Sequence, residues 1–211
     1  MPLSLLIFDC DGVILESMDV KTRAFQRIGQ DFGPEMGDRL AMYHALRGGV
    51  SRFEKFAWLY QEVYGRDIRP DEAQALNQRF VGYAMEEIAA CKLVNGTREV
   101  LKRWKGRVPM YVASGAPQEE LVFLMEKRGL AAYFDGIYGW PTPKGELLLR
   151  ILRQSGCAPE ETVMIGDSSY DLRAAEQAGT LFYGRGDMFR GGPYPWYKDL
   201  TRLNEYLESL C

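Results

Sequence analysis

The chain has 211 residues, 46% of them hydrophobic, and a formal net charge of −3. Such a composition is globular, allows one domain or two small ones, and lacks the basic stripe of a nucleic-acid binder. No apolar run approaches the ~20 residues of a membrane-spanning helix, and the N-terminus lacks the charged region that opens a signal peptide. The cysteines Cys10, Cys91, Cys157 and Cys211 are scattered without metal-ligand spacing. They fit reduced thiols in a cytoplasmic protein better than a disulfide framework.

The first predicted element is a strand, Leu5-Leu6-Ile7-Phe8, which ends abruptly in Asp9-Cys10-Asp11-Gly12. A continuous apolar run of this length fits a strand buried on both faces, as in a parallel sheet. Side chains two apart on a strand point the same way, so Asp9 and Asp11 can converge on one point. Two carboxylates so close repel, and one pKa rises unless a cation neutralises them. A divalent metal would do so and leave one carboxylate free to attack and the other to move a proton. Gly12 suits the sharp turn that follows.

Residues 17–91 carry helical periodicity and almost no strand signal. Ser17 is placed to cap a first helix running to about Gln30, and Gly33-Pro34 breaks it. A second helix is expected over 36–46, ended by Gly48-Gly49. Ser51 opens a third, with Phe53, Phe56, Ala57, Tyr60, Val63 and Tyr64 on one face. Pro70-Asp71-Glu72 starts a fourth.

From Asn95 the rhythm becomes alternating helix and strand. A helix ending near Lys105-Gly106 leads to a strand over 108–113, followed by Ser114-Gly115-Ala116 and a helix over 117–127. A short strand over 136–138 precedes a helix over 144–154. A strand over 162–165 ends in Gly166-Asp167-Ser168-Ser169, ahead of a helix over 172–178. A last short strand over 180–183, a Gly/Pro/aromatic connection over 184–196 and a helix over 199–210 complete the chain. Strands alternating with helices in this way imply an α/β fold with a parallel sheet covered on both faces. Ligands bind such sheets beyond the carboxyl ends of the strands. Three strands here end in residue types a phosphate site uses: Asp9 with Asp11, Ser114 with Gly115, and Asp167 with Asp171.

These residues together resemble the haloacid dehalogenase-like superfamily, mostly phosphatases, across nearly the whole chain. Its motifs match Asp9-Cys10-Asp11-Gly12-Val13, then Ser114, then Lys144, then Gly166-Asp167-Ser168-Ser169-Tyr170-Asp171, in order. The resemblance is to the subfamily with a small helical cap, which includes phosphoglycolate phosphatases and β-phosphoglucomutases. It implies a Rossmann-like core over 1–15 and 92–211 and an inserted helical cap over 16–91.

It also implies roles. Asp9 would be the nucleophile and form an aspartyl-phosphate. Asp11 would be the general acid and then base, and would offer its backbone carbonyl to Mg²⁺. Asp9 and Asp167 would complete the protein ligands of that ion, with Asp171 supporting the metal site or holding its neighbours. Ser114 and the N–H groups after it, expected at a helix N-terminus, would hold phosphoryl oxygens. Lys144 would neutralise charge on the nucleophile and the transferring group. Many relatives carry this lysine before Pro-x-Pro, whereas here it follows Pro141-Thr142-Pro143. Arg52, and with it Lys55, is a candidate for a second anionic group of the substrate; a solvated arginine at a helix start is the alternative.

The expected function is hydrolysis of a small phosphorylated metabolite by a cytoplasmic monomer or weak homodimer, with no nucleic-acid or membrane partner. A phosphomutase is the runner-up, weakened because Lys21 stands where mutase relatives carry histidine. Asp11 argues against dehalogenation. A non-catalytic regulatory domain would show the loss of a key aspartate, and none is missing.

Overall fold

The computed structural model describes residues 2–211, which divide into two compact units. One comprises the segment up to Glu16 together with Lys92–Cys211; the other is the insert Ser17–Cys91. The first unit starts with β1, Leu5–Phe8, whose four residues are all buried. Among the described residues no helix is long and apolar enough to cross a membrane.

The insert is made of α1 (Met18–Gln30), α2 (Pro34–Leu46), α3 (Arg52–Tyr64) and α4 (Pro70–Ala90). Ser51 caps α3 through a hydrogen bond from the Phe53 N–H, and Gly65 closes it in the left-handed region. The break between the first two helices falls at Gly33-Pro34 as expected, and α2 starts two residues earlier than expected, at Pro34, since the first helical position has no intrahelical use for an N–H. One expectation needs correction. Ser17 sits at the cap position of α1 in helical dihedrals, so its side chain makes no capping bond there. Phe25, Phe56 and Phe80 form the centre of the insert, with ring centroids 6.0 and 4.9 Å from Phe25.

The rest of the first unit runs α5 (Thr97–Trp104), β2 (Met110–Pro117), α6 (Gln118–Lys127), β3 (Gly136–Trp140), α7 (Lys144–Ser155), β4 (Thr162–Gly166), α8 (Ser169–Ala178), β5 (Leu181–Arg185), β6 (Trp196–Tyr197) and α9 (Leu203–Glu208). The six strands form one parallel sheet in the order β3-β2-β1-β4-β5-β6. The order reverses between β1 and β4, the crevice where open α/β sheets bind ligands. Leu5 and Ile7 of β1 pack with Leu147, Leu148 and Ile151 of α7 and Ala174 and Ala175 of α8. On the other side, Phe8 meets Phe134 edge-on at 6.0 Å. The apolar run of β1 is therefore buried from both sides, and charge enters at its carboxyl end with Asp9.

Differences from the sequence expectation cluster at element ends. β2 runs on to Pro117 through an irregularity after Ala113, because Pro117 still pairs with Trp140 of β3. Pro117 itself keeps an extended ψ of 137°, so α6 starts only after it. β5 extends two residues further than expected and gains a neighbour in β6, too short to leave a periodic pattern. α9 starts at Leu203 and not at 199, since the Asp199 carboxylate accepts from the Thr201 N–H and hydroxyl at 3.0 and 2.6 Å and holds a turn there.

Candidate active site

Asp9 is the first residue past β1, and its N–H still donates to the Ile165 carbonyl at 2.9 Å, carrying the β1–β4 ladder one step beyond the strand. The chain then folds back on itself. Ile14 and Leu15 N–H groups both donate to the Cys10 carbonyl at 2.9 Å, and Gly12 adopts φ 79°. That left-handed conformation is what the glycine of this turn permits. Asp9 is 2% exposed, and Asp11, two residues on, is partly exposed.

Lys144 is the first residue of α7, immediately after Pro143. Its ammonium donates to Asp9 Oδ1 at 2.8 Å and to Asp171 Oδ1 at 2.5 Å, with only 1% of its side chain exposed. The later position of the lysine, after the two prolines, thus brings it to the aspartates.

Asp171 lies in the first turn of α8 and is fully buried. Its second oxygen, Oδ2, accepts from the Ser168 hydroxyl at 2.6 Å, the Ser168 N–H at 3.0 Å and the Asp167 N–H at 3.2 Å. Ser168 in turn accepts from the Asp171 N–H, closing a reciprocal cap. Asp171 therefore fixes both Lys144 and the backbone that carries Asp167. Ser168 is the part of this arrangement the sequence reading did not assign; a serine three residues before an aspartate was its signal.

Asp9, Asp167 and Asp171 each present a carboxylate oxygen within 4.8 Å of the others. Three carboxylates face one lysine, and burial raises the cost of their charge. Burial, with Asp171 and Asp11 adding to it against Lys144, pushes the Asp9 carboxyl up to about 7. Burial, with Asp171 and Asp9, holds the Asp167 carboxyl well above the usual aspartate range. Burial alone would weaken the hold of Lys144 on its proton, yet its contacts with Asp171 and Asp9 outweigh that and push it above the usual lysine range. The cluster is thus short of positive charge, and its hard oxygen donors suit a divalent cation. Asp9 and Asp167 each present an oxygen that would be offered to such an ion. Both oxygens of Asp171 are already taken by Lys144 and by Ser168 and Asp167, so it orients the set.

Ser114 is buried at the β2 irregularity, and its hydroxyl accepts from the Ala116 N–H at 3.2 Å. Ser114 and Gly115 belong to β2 itself, four residues before α6 in the case of Ser114. The expected helix N-terminus behind them is a bulged strand end. Arg52 belongs to the insert and is 6% exposed, so the solvated alternative fails. Its guanidinium lies 4.1 Å from the Phe80 ring centroid and donates to Asn77 Oδ1 at 3.0 Å. Lys55 and His44 are buried in the same unit, with Lys55 Nζ 2.8 Å from His44 Nδ1.

Similarity to known proteins agrees with this geometry. The chain is 27% identical over 180 residues to the fructose-1-phosphate phosphatase of Escherichia coli, covering 82% of this chain and 92% of that protein. It is 26% identical to a 5′-nucleotidase of Pseudomonas aeruginosa, covering 97% of this chain and 95% of that one. The crystal structure of a β-phosphoglucomutase from Clostridium difficile superposes with a TM-score of 0.80 at 18% identity, covering 100% of this chain and 97% of that one, and shares its fold. The model of the haloacid dehalogenase-like hydrolases matches residues 3–179, which span β1, the insert, Lys144 and the whole Asp167–Asp171 cap. With that match and the carboxylate–lysine cluster at the strand ends, the chain belongs to the haloacid dehalogenase-like hydrolase family.

Proposed function

We propose that this hydrolase is a Mg²⁺-dependent phosphatase of a small phosphorylated metabolite, working through an aspartyl-phosphate on Asp9. The observation that carries the reading is the bridge from Asp9 through Lys144 to Asp171, with Asp167 beside it, at the switch in strand order. The relatives named above as a fructose-1-phosphate phosphatase and a 5′-nucleotidase support the reaction class and leave the substrate open.

In this reading Asp9 attacks phosphorus, and the ester oxygen leaves with a proton from Asp11. Asp11, now a carboxylate, takes a proton from water as its oxygen attacks the phosphoryl group, releasing phosphate and restoring Asp9. Lys144 holds the Asp9 carboxylate in one orientation and offsets charge building on the transferring oxygens. The Ser114 hydroxyl and the Gly115 N–H are the donors for those oxygens. Mg²⁺ would be held by Asp9, Asp167 and the Asp11 backbone carbonyl, and when bound supplies charge stabilisation to the phosphoryl group.

The test is hydrolysis of a panel of phosphorylated sugars, acids and nucleotides by purified protein. Chelation should abolish activity and Mg²⁺ should restore it; Ca²⁺, with larger and less regular coordination, should not. Asp9→Asn should lose at least roughly 10³-fold in kcat. Full turnover in that variant would sink the covalent mechanism.

A further inference from the structure

Arg185 stands at the carboxyl end of β5, a position that neither the motifs nor the reaction above uses. β4 and β5 pair with Gly166 opposite Gly184, so the next residues along, Asp167 and Arg185, are lateral neighbours. Strands in a sheet lie only ~4.8 Å apart. The Arg185 charge is felt at Asp167, where it works with Lys144 to favour the carboxylate. On its other side the Arg185 guanidinium donates from Nη2 to Glu16 Oε1 at 2.6 Å. Its side chain is 19% exposed, and its Nε is buried without a hydrogen-bond partner among the described residues. Glu16 is itself held in place, since its N–H donates to the Lys92 carbonyl at 2.9 Å beside the Leu15–Leu93 bridge.

One guanidinium therefore binds the Glu16 carboxylate from a strand position beside Asp167, and only Asp167 belongs to the acidic cluster. A divalent cation on Asp9 and Asp167 would be repelled by Arg185, and the pull of Glu16 would lessen that repulsion. We propose that Arg185 is a positioning residue that sets the cation affinity of the Asp9–Asp167 cluster, and that Glu16 acts on the cluster through Arg185. The inference rests on the metal-site reading above.

The test is calorimetric titration of the full chain with MgCl₂, without substrate, in the wild type, Arg185→Gln, Arg185→Lys, Glu16→Gln and the Glu16→Gln/Arg185→Gln double variant, each first shown to melt cooperatively. Arg185→Gln should bind Mg²⁺ roughly three- to tenfold more tightly, because a like charge has gone. Glu16→Gln should bind it roughly threefold more weakly, since Arg185 is then free to turn its full charge on the site. Arg185→Lys should stay within about twofold of the wild type, because the charge is retained. The double variant should match Arg185→Gln alone, which is the signature of one residue acting through the other. Weaker binding in both single variants would mean a structural role and overturn the proposal. So would an effect of Glu16→Gln that persists unchanged in the Arg185→Gln background. Failure of the underlying reading looks different: the wild type itself would show no saturable Mg²⁺ binding, or Asp167→Asn would leave it unaltered.

Discussion

Lys144 in the core and Arg66 in the insert each meet carboxylates, yet 1% of the Lys144 side chain is exposed against 42% for Arg66. Lys144 touches Asp9 and Asp171 at 2.8 and 2.5 Å with both partners enclosed. Arg66 grips Glu72 through two hydrogen bonds of 2.9 and 2.7 Å at the start of α4. The two look alike as ion pairs and differ in what surrounds them. Around Lys144 the carboxylates outnumber the cation and water does not share the load, so the site is held in tension by its own charge. Around Arg66 solvent reaches the guanidinium and screens the pair, which does little more than support the Glu72 cap on the Arg69 N–H. Function gathers where burial makes charge expensive, and the insert's surface pair is a local brace.

Breaking each pair should expose this contrast, and the core variant should show the larger effect. Lys144→Met leaves Asp9 and Asp171 without their cation. We expect the metal-free protein to lose about 3 kcal/mol of stability in urea titration. Added Mg²⁺ should return part of that loss. An unchanged midpoint in the presence of a chelator would show that the cluster is not charge-strained.

A second effect is expected from pH. The folded protein holds a proton on Asp9 up to about 7, whereas an unfolded aspartate gives it up near 3.8. Between those values the folded state binds more protons than the unfolded one, so this group's contribution to stability falls as pH rises. Metal-free wild type should therefore lose stability over that window relative to Asp9→Asn, which lacks the titrating group. Parallel profiles of the two proteins would remove burial of Asp9 as the source of strain.

The smallest effect belongs to the insert. The Arg66 hydrogen bonds, and then the Arg69 N–H, hold the Glu72 carboxyl down at about 2. Its contribution is present above its usual value of 4.5 and is lost as pH falls towards about 2. Glu72→Gln should lower the melting temperature less than Lys144→Met does, and salt should shrink the difference further. A loss as large as that of Lys144→Met would erase the contrast between the two units.

The same contrast explains what could be read in the sequence. Asp9 and Asp167 could be placed at strand ends because each follows a buried apolar run, and the fold brings those ends into one carboxylate cluster with Asp171. The helices of the insert were legible from punctuation, as with Ser51, Gly65 and Pro70. Lys144 could be placed because the prolines before it force a fresh helix start. Ser114 was assigned as a phosphate donor, but its setting was not legible: whether the chain after it is strand or helix depends on Pro117 pairing with Trp140, a partner more than twenty residues away. Arg185 was missed for a related reason. The apolar signal of β5 fades at Tyr183, and only pairing with β4 and β6 carries the strand to residue 185. The close approach of Lys55 to His44 joins α2 to α3, and helical spacing alone cannot show which residues of two helices meet.

The covalent role of Asp9 and the proton-transfer role of Asp11 are tested together by rapid quench of Asp11→Asn under saturating Mg²⁺, with an alkyl phosphate and with p-nitrophenyl phosphate. A p-nitrophenolate leaving group needs no proton, whereas an alkoxide does, and acid–base help is typically worth ~10²–10⁴-fold. With p-nitrophenyl phosphate the first step should be largely spared, and mass spectrometry should find phosphate accumulating on the peptide that contains Asp9. With the alkyl ester both steps should slow. Equal slowing of the two esters with no phosphorylated peptide would contradict the account.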